Sequence, residues 1–166
     1  MAEAAKPHGT TALWSGLALA LVVIAIDQTT KWLASEMLNP AVRLPVTPFF
    51  NLVLVWNRGV SFGMFDTVGV LAPWVLSGLA LAVVAGLLIW LRRAEDRLTI
   101  VGLGLVIGGA LGNVIDRIRF GAVIDFLDFH LAGYHWPAFN LADTAIVVGA
   151  GLMLVDGLLA PRRQCT

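Results

Sequence analysis

The sequence predicts an all-α polytopic membrane protein: four transmembrane helices with one small β element lying at the membrane surface. Three observations predict it. The 166 residues are 58% hydrophobic and only 13% charged, where a soluble domain carries about 25% charged residues, and the mean hydropathy is +0.84. Four apolar runs, about 11–34, 68–91, 98–115 and 139–160, are each long enough to span a bilayer as a helix. Between the first two, the stretch of about 39–66 carries Pro40, Pro45 and Pro48, which exclude a helix through its first part, and then the β-prone FFNLVLVW of Phe49 to Trp56. The length suits a single domain, 1–166.

Taken in order, Met1 to Thr10 is polar and reads as a short disordered lead. Thr11 to Ala34 follows as the first span, with Asp27 and Lys31 in its last third. A secretory signal peptide competes for Leu17 to Ile26, but the start is weakly basic and no small-x-small cleavage site precedes Asp27. In the β element, Asn57-Arg58-Gly59 supplies a turn, because Asn and Gly tolerate positive φ, and two or three strands joined there are expected. Val68 to Leu91 is uncharged, has Pro73 near its start, and ends at Arg92-Arg93. After the charged turn of Glu95, Asp96 and Arg97, Leu98 to Ile115 is the third span. Phe139 to Ala160 is the fourth, closed by Pro161-Arg162-Arg163. Gly104, Gly108 and Gly112 form a small-xxx-small series expected to bring the third and fourth spans together, with Gly149 and Gly151 thinning the fourth.

Charge and cysteine content exclude several classes. A formal net charge of zero without a basic tract excludes nucleic-acid binding, and the single cysteine, Cys165, allows no intramolecular disulfide and no Cys/His zinc spacing. Four spans with short connections put both termini on one side. Lys6, Arg92, Arg93, Arg97, Arg162 and Arg163 fall there, against Lys31, Arg43, Arg58, Arg117 and Arg119 opposite. Three of the second group sit beside acids or polar motifs, as internal partners, so the positive-inside bias places the termini in the cytoplasm.

The chemistry concentrates between Gly108 and Ala145, where Asp116, Asp125, Asp128 and Asp143 lie among apolar stretches. A carboxylate near hydrocarbon is costly unless paired, hydrated or neutralised, which makes each a functional candidate. Asp125 or Asp128 in the third connector can meet Asp143 at the start of the fourth span; two acids in one poorly solvated site share a single proton and present one acid and one base, as in aspartic proteases. Simpler roles compete. Asn140-x-x-Asp143 also reads as a helix N-cap, and Asp116, at a helix C-terminus, needs compensation from Arg117, Arg119 or Asn113. Asp27 and Lys31 have the spacing of an i,i+4 ion pair. Asp156, close to Arg162, reads as structural, and His130 and His135, near Tyr134 and Trp136, read as part of an aromatic interface belt rather than a metal site. A small proton-coupled transporter would also use intramembrane acids, but would distribute them through the membrane depth and show an internal repeat. A purely structural membrane subunit would need Asp143 for folding rather than turnover.

At these residues the sequence resembles the bacterial lipoprotein signal peptidase family, also called signal peptidase II or prolipoprotein signal peptidase. The resemblance is carried by Asp27-x-x-Thr30-Lys31, Asn57-x-Gly59-x-Ser61-Phe62, Gly108-Gly109-Ala110-x-Gly112-Asn113-x-x-Asp116-Arg117, Val123-x-Asp125-Phe126 and Phe139-Asn140-x-Ala142-Asp143. It implies an intramembrane aspartic endopeptidase of the bacterial inner membrane with Asp125 and Asp143 as the catalytic pair, so that Asp128 is not catalytic. Supporting or substrate-binding roles fall on Asp27, Lys31, Asn57, Gly59, Asn113, Asp116, Arg117 and Asn140. The implied substrate is a prolipoprotein bearing a diacylglyceryl cysteine, cut just before that cysteine on the periplasmic side, by a monomer that uses no metal or organic cofactor. Val60, where the family often has Ala, is the one departure.

Overall fold

In hydrocarbon a backbone can satisfy its polar groups only within a helix or a closed sheet, and the four apolar runs form helices in the computed structural model: α1 (Gly9–Met37), α2 (Val68–Leu91), α3 (Arg97–Phe120) and α4 (Leu141–Leu159). All four are long and apolar enough to cross a membrane. The structure describes residues 9–59 and 68–159. Most of the polar lead, Val60, Ser61 and Phe62, the end of the β element, the Pro161-Arg162-Arg163 stop and Cys165 lie outside that range.

The second helix begins and ends at the expected residues, and the third runs five residues further than its uncharged stretch. Gly121 stops it: at φ +69° it takes the left-handed conformation and donates its N–H to the Arg117 carbonyl at 3.0 Å, closing the last turn. Asp116 and Arg117 therefore lie within α3 rather than beyond it. The fourth helix starts two residues later than expected because Phe139 is held by a bridge to Leu127.

Four strands form one antiparallel sheet in the order β1 (Leu44–Thr47), β2 (Phe50–Asn57), β3 (Val123–Leu131) and β4 (Tyr134–His135). Any strand joined to β2 at Asn57-Arg58-Gly59 would fall on 60–67, outside the described residues. The main partner of β2 is β3, drawn from the connector between α3 and α4. Gly59 does take positive φ, +79°, with its N–H on Asn57 Oδ1 at 2.8 Å. Two tight hairpins are present among the described residues: β1–β2, turned at Pro48 and Phe49, and β3–β4, turned by Ala132 and Gly133, both at positive φ.

The core is organised on α3, whose apolar window is 61% buried against 11% for α4. Its glycines explain how closely the helices approach, and they correct an expectation. A Cβ at Gly104 would sit 2.9 Å from the Gly16 carbonyl oxygen and one at Gly108 2.8 Å from that of Ala20, so the small-xxx-small series faces α1. The α3/α4 approach uses the opposite edge, where Gly102 meets the Gly149 carbonyl and Gly109 that of Ala142. Leu91, Leu103 and Ile107, all but fully buried, fill the space among α1, α2 and α3.

Candidate active site

Strand periodicity separates the two acids of the connector. Asp125 and Asp128 are three residues apart on β3, so their side chains leave opposite faces of the sheet. Asp128 is opposite Asn51 in the ladder and accepts from Asn51 Nδ2 at 2.9 Å and from His135 Nδ1 at 2.8 Å. Burial works against its charged form, but the hydrogen bonds from Asn51 and His135 outweigh it and hold the carboxyl below its ordinary range. It is thus buried and paired rather than a surface charge, and it lies apart from the other acids.

Asp125 faces the helices. A register shift between Leu52 and Val55 brings Asn57 within reach, and its Nδ2 donates to Asp125 Oδ2 at 2.9 Å. Asn140 Nδ2 donates to Asp125 Oδ1 at 2.7 Å and also approaches Asn113 Oδ1 at 3.3 Å. Burial dominates the protonation of Asp125 and, with the neighbouring charge of Asp143, pushes its pKa up to about 6 despite the opposing amides of Asn57 and Asn140 and the charge of Lys31.

Asp143 caps α4, as its spacing allowed, and turns its other oxygen to a second partner. Its N–H donates to Asn140 Oδ1 at 2.9 Å while its Oδ2 accepts the Asn140 backbone N–H at 3.3 Å, a reciprocal cap at the start of α4. Its other oxygen accepts from Asn113 Nδ2 at 2.8 Å. Asn140 therefore touches both acids, one through its side chain and one through its backbone.

Beneath them lies a buried charged layer. Lys31 Nζ is 2.8 Å from Asp27 Oδ2 and 2.8 Å from Asp116 Oδ2, and donates to Asn113 Oδ1 at 2.9 Å. The i,i+4 pair of α1 is present, yet it is fully interior rather than interfacial, and the direct ion-pair partner of Asp116 is Lys31, with Arg117 near enough for its charge to act on Asp116 as well. Asp27 Oδ1 also accepts the Ala142 N–H at 2.9 Å, and Asp116 Oδ2 the Ile124 N–H at 3.3 Å, so this layer ties α1 to α4 and α3 to β3. Arg117 donates to the Asn113 carbonyl at 3.4 Å and keeps a buried Nε without a hydrogen-bond partner among the described residues. Gln28, missed in the sequence, donates to Asp116 Oδ1 at 2.8 Å; only its place beside Asp27 could have hinted at that. Asp156 accepts from Thr99 Oγ1, while Arg162 is outside the described residues. Among the described residues no group of three or more His, Cys, Asp or Glu could hold a metal ion.

Four membrane-length helices with a polar, carboxylate-bearing site where α3 and α4 meet a sheet define a polytopic membrane protein built around an enclosed acidic centre. A family model described as Signal peptidase (SPase) II matches residues 19–159. Relatives called lipoprotein signal peptidase are 47% identical in Methylorubrum extorquens, over 94% of this chain and 93% of theirs, and 48% identical in Paraburkholderia phytofirmans, over 91% and 87%. A solved structure described as a bacterial membrane enzyme superposes with a TM-score of 0.78 at 26% identity, covering 89% of this chain and 94% of that one. The chain belongs to the signal peptidase II family and is a membrane peptidase.

Proposed function

We propose that the chain is an aspartic endopeptidase that removes the signal peptide from diacylglyceryl-modified prolipoproteins, with Asp125 and Asp143 as its catalytic pair. The carrying observation is Asn140, which donates to Asp125 at 2.7 Å through its side chain and to Asp143 at 3.3 Å through its backbone, bringing two acids from different elements onto one residue. The pair holds one proton. The ionised carboxylate takes a proton from water as its oxygen attacks the scissile carbonyl carbon, and the protonated one gives its proton to the carbonyl oxygen. The tetrahedral gem-diol then collapses: the carbon–nitrogen bond breaks as the carboxyl that took the water proton gives it to the leaving amine, and the other carboxylate takes a proton from one hydroxyl, so a carboxylic acid forms and the pair again holds one proton. The raised pKa of Asp125, about 6, supports a partner that keeps its proton to a higher pH than an ordinary carboxyl does.

Asp27, Lys31, Asp116 and Asn113 hold the pair from below. In this reading Asn57, Gly59 and Arg117 serve the substrate backbone; the buried Nε of Arg117, without a partner among the described residues, supports a donor role for it. A groove of about 400 Å³ lined by Trp136, Phe139, Val147 and Val148 opens beside Asp143 and suits an apolar segment arriving from the bilayer. In this reading the enzyme is a monomer in the inner membrane with cytoplasmic termini and the site toward the periplasm, and it uses no cofactor. Purified parent, Asp125→Asn and Asp143→Asn are incubated with a diacylglyceryl-modified prolipoprotein. Both variants stay folded and lose cleavage by at least about 100-fold, the lower end for a positioned acid or base. Persistent cleavage by either removes that residue from the mechanism, and equal cleavage of an unmodified precursor rejects the lipid requirement.

A further inference from the structure

The edge of α3 turned away from α4 borders two cavities that the proposed reaction does not use. One, of about 320 Å³, has an apolar lining that includes Leu17, Leu21 and Ile24 of α1 and Ile107 and Leu111 of α3. The other, of about 260 Å³, has a mixed lining with Gln28, Trp32 and Ser35 of α1 and Arg119 and Phe120 of α3. They lie in line. On α1, residues 17, 21, 24, 28, 32 and 35 recur at three- or four-residue steps and so form one stripe, and on α3 residues 107, 111 and 119 fall on a four-residue repeat. The two cavities are the deep and shallow parts of one seam between α1 and α3.

Its dimensions and polarity match a lipid. From Gln28, which Arg119 reaches, down to Leu17 the seam covers about 17 Å of helix, close to the depth of one leaflet of a core about 30 Å thick. At its polar end Trp32 is 60% exposed and Phe120 45%, the kind of aromatic pair found at the level of the headgroups. Asp116 lines this end but is already neutralised by Lys31 at 2.8 Å. Arg119 is exposed, reaches Gln28 Oε1 at 3.5 Å, lies over the Phe120 ring at 4.9 Å, and has no carboxylate partner among the described residues. An unneutralised guanidinium at the mouth of a leaflet-deep apolar trough complements a phosphodiester carrying acyl chains.

We propose that this seam binds one membrane glycerophospholipid, its phosphate against Arg119 and an acyl chain between Leu17 and Ile24, separate from the groove beside Asp143. Neither Asp125 nor Asp143 lines the seam, although its polar end shares Lys31 and Asp116 with the charged layer beneath them. The test is native mass spectrometry of the full chain in detergent, titrated with phosphatidylglycerol, with diacylglycerol of the same chains, and with glycerol phosphate. One phosphatidylglycerol binds at least tenfold more tightly than diacylglycerol, and glycerol phosphate does not displace it. Arg119→Gln lowers phosphatidylglycerol to the diacylglycerol level, Leu21→Trp fills the trough and excludes both, and Val147→Trp, in the other groove, changes neither. Equal retention of the two lipids by the parent, unchanged retention in Arg119→Gln, displacement by glycerol phosphate, or loss in a folded Val147→Trp each overturns the proposal. Should Leu21→Trp not fold, the exposed Arg119→Gln decides by itself.

Discussion

Replacing Lys31 by methionine keeps most of the side chain's length while deleting its charge. In the parent the ammonium has two carboxylate oxygens at 2.8 Å and an amide oxygen at 2.9 Å, so its three donors meet three acceptors, and the side chain is only 2% exposed. Removing one partner of a buried ion pair costs about 3–5 kcal/mol because the opposite charge is left without compensation. Here two carboxylates are stranded, Asp27 and Asp116, and a whole domain is stable by only about 5–15 kcal/mol. At about 2–4 °C per kcal/mol for a chain of this size, the thermal midpoint in detergent falls by about 6–20 °C. The control replaces all three charges, Lys31→Met with Asp27→Asn and Asp116→Asn, which buries no ion and recovers at least half of the loss. A Lys31→Met midpoint within about 2 °C of the parent would refute the counter-ion role, and a triple variant no better than the single one would show that stranded charge is not the cause.

Removing the Asn57 amide strips a hydrogen bond from the charged form of Asp125, so Asn57→Ala raises a pKa that already stands at about 6. In the proposed reaction the shared proton is present below that value and lost as pH rises through it. The alkaline limb of kcat/KM therefore begins near pH 6 in the parent and moves up by about one pH unit in the variant, the lower end for a bond to a charged group beside solvent. A limb that stays or moves down contradicts this assignment. Gly109→Ala drives a Cβ into the Ala142 backbone carbonyl and to 2.9 Å from Ile146 Cγ1, so it costs about 1–3 kcal/mol in unfolding measurements. Gly78→Ala in α2, where nothing lies within 4 Å, gains up to about 1 kcal/mol from helix propensity. Equal effects at the two positions would mean that α3 and α4 are not in backbone contact.

The parts of the fold that were legible are those whose cause is local. Val68 to Leu91 reads as a span because an uncharged run of that length forms the same helix whatever packs beside it. The Asn140 cap reads from its own three-residue spacing. By contrast β3 carries no local strand signal, since VIDFLDF does not alternate, and its partner strand β2 lies 66 residues back from Val123 to Asn57. Nothing in a one-dimensional pattern chooses that pairing. The glycines announced a close helix contact without saying with whom, and α1 took the series assigned to α4. For the same reason the compensation of Asp116 was sought among its neighbours Arg117 and Arg119, when its direct ion-pair partner, Lys31, comes from another helix.

The partners of the buried acids divide them into two kinds. Asp27 and Asp116 share the Lys31 ammonium, which fixes the position of both carboxylates with a full opposite charge. Asp125 is held by the amides of Asn57 and Asn140, and Asp143 by the amide of Asn113 and the backbone of Asn140. An amide N–H orients an oxygen without supplying a full opposite charge, so the carboxyl stays in place whether or not it carries a proton. That freedom is what an acid needs if it is to give up a proton and recover it within one turnover. It also explains why Lys31 reaches the two acids of the site through Asn113 rather than by direct ion pairing. The intervening Asn113 amide, 2.9 Å from Lys31 Nζ and 2.8 Å from Asp143 Oδ1, passes on the alignment of the charged layer without a direct ammonium contact at Asp143.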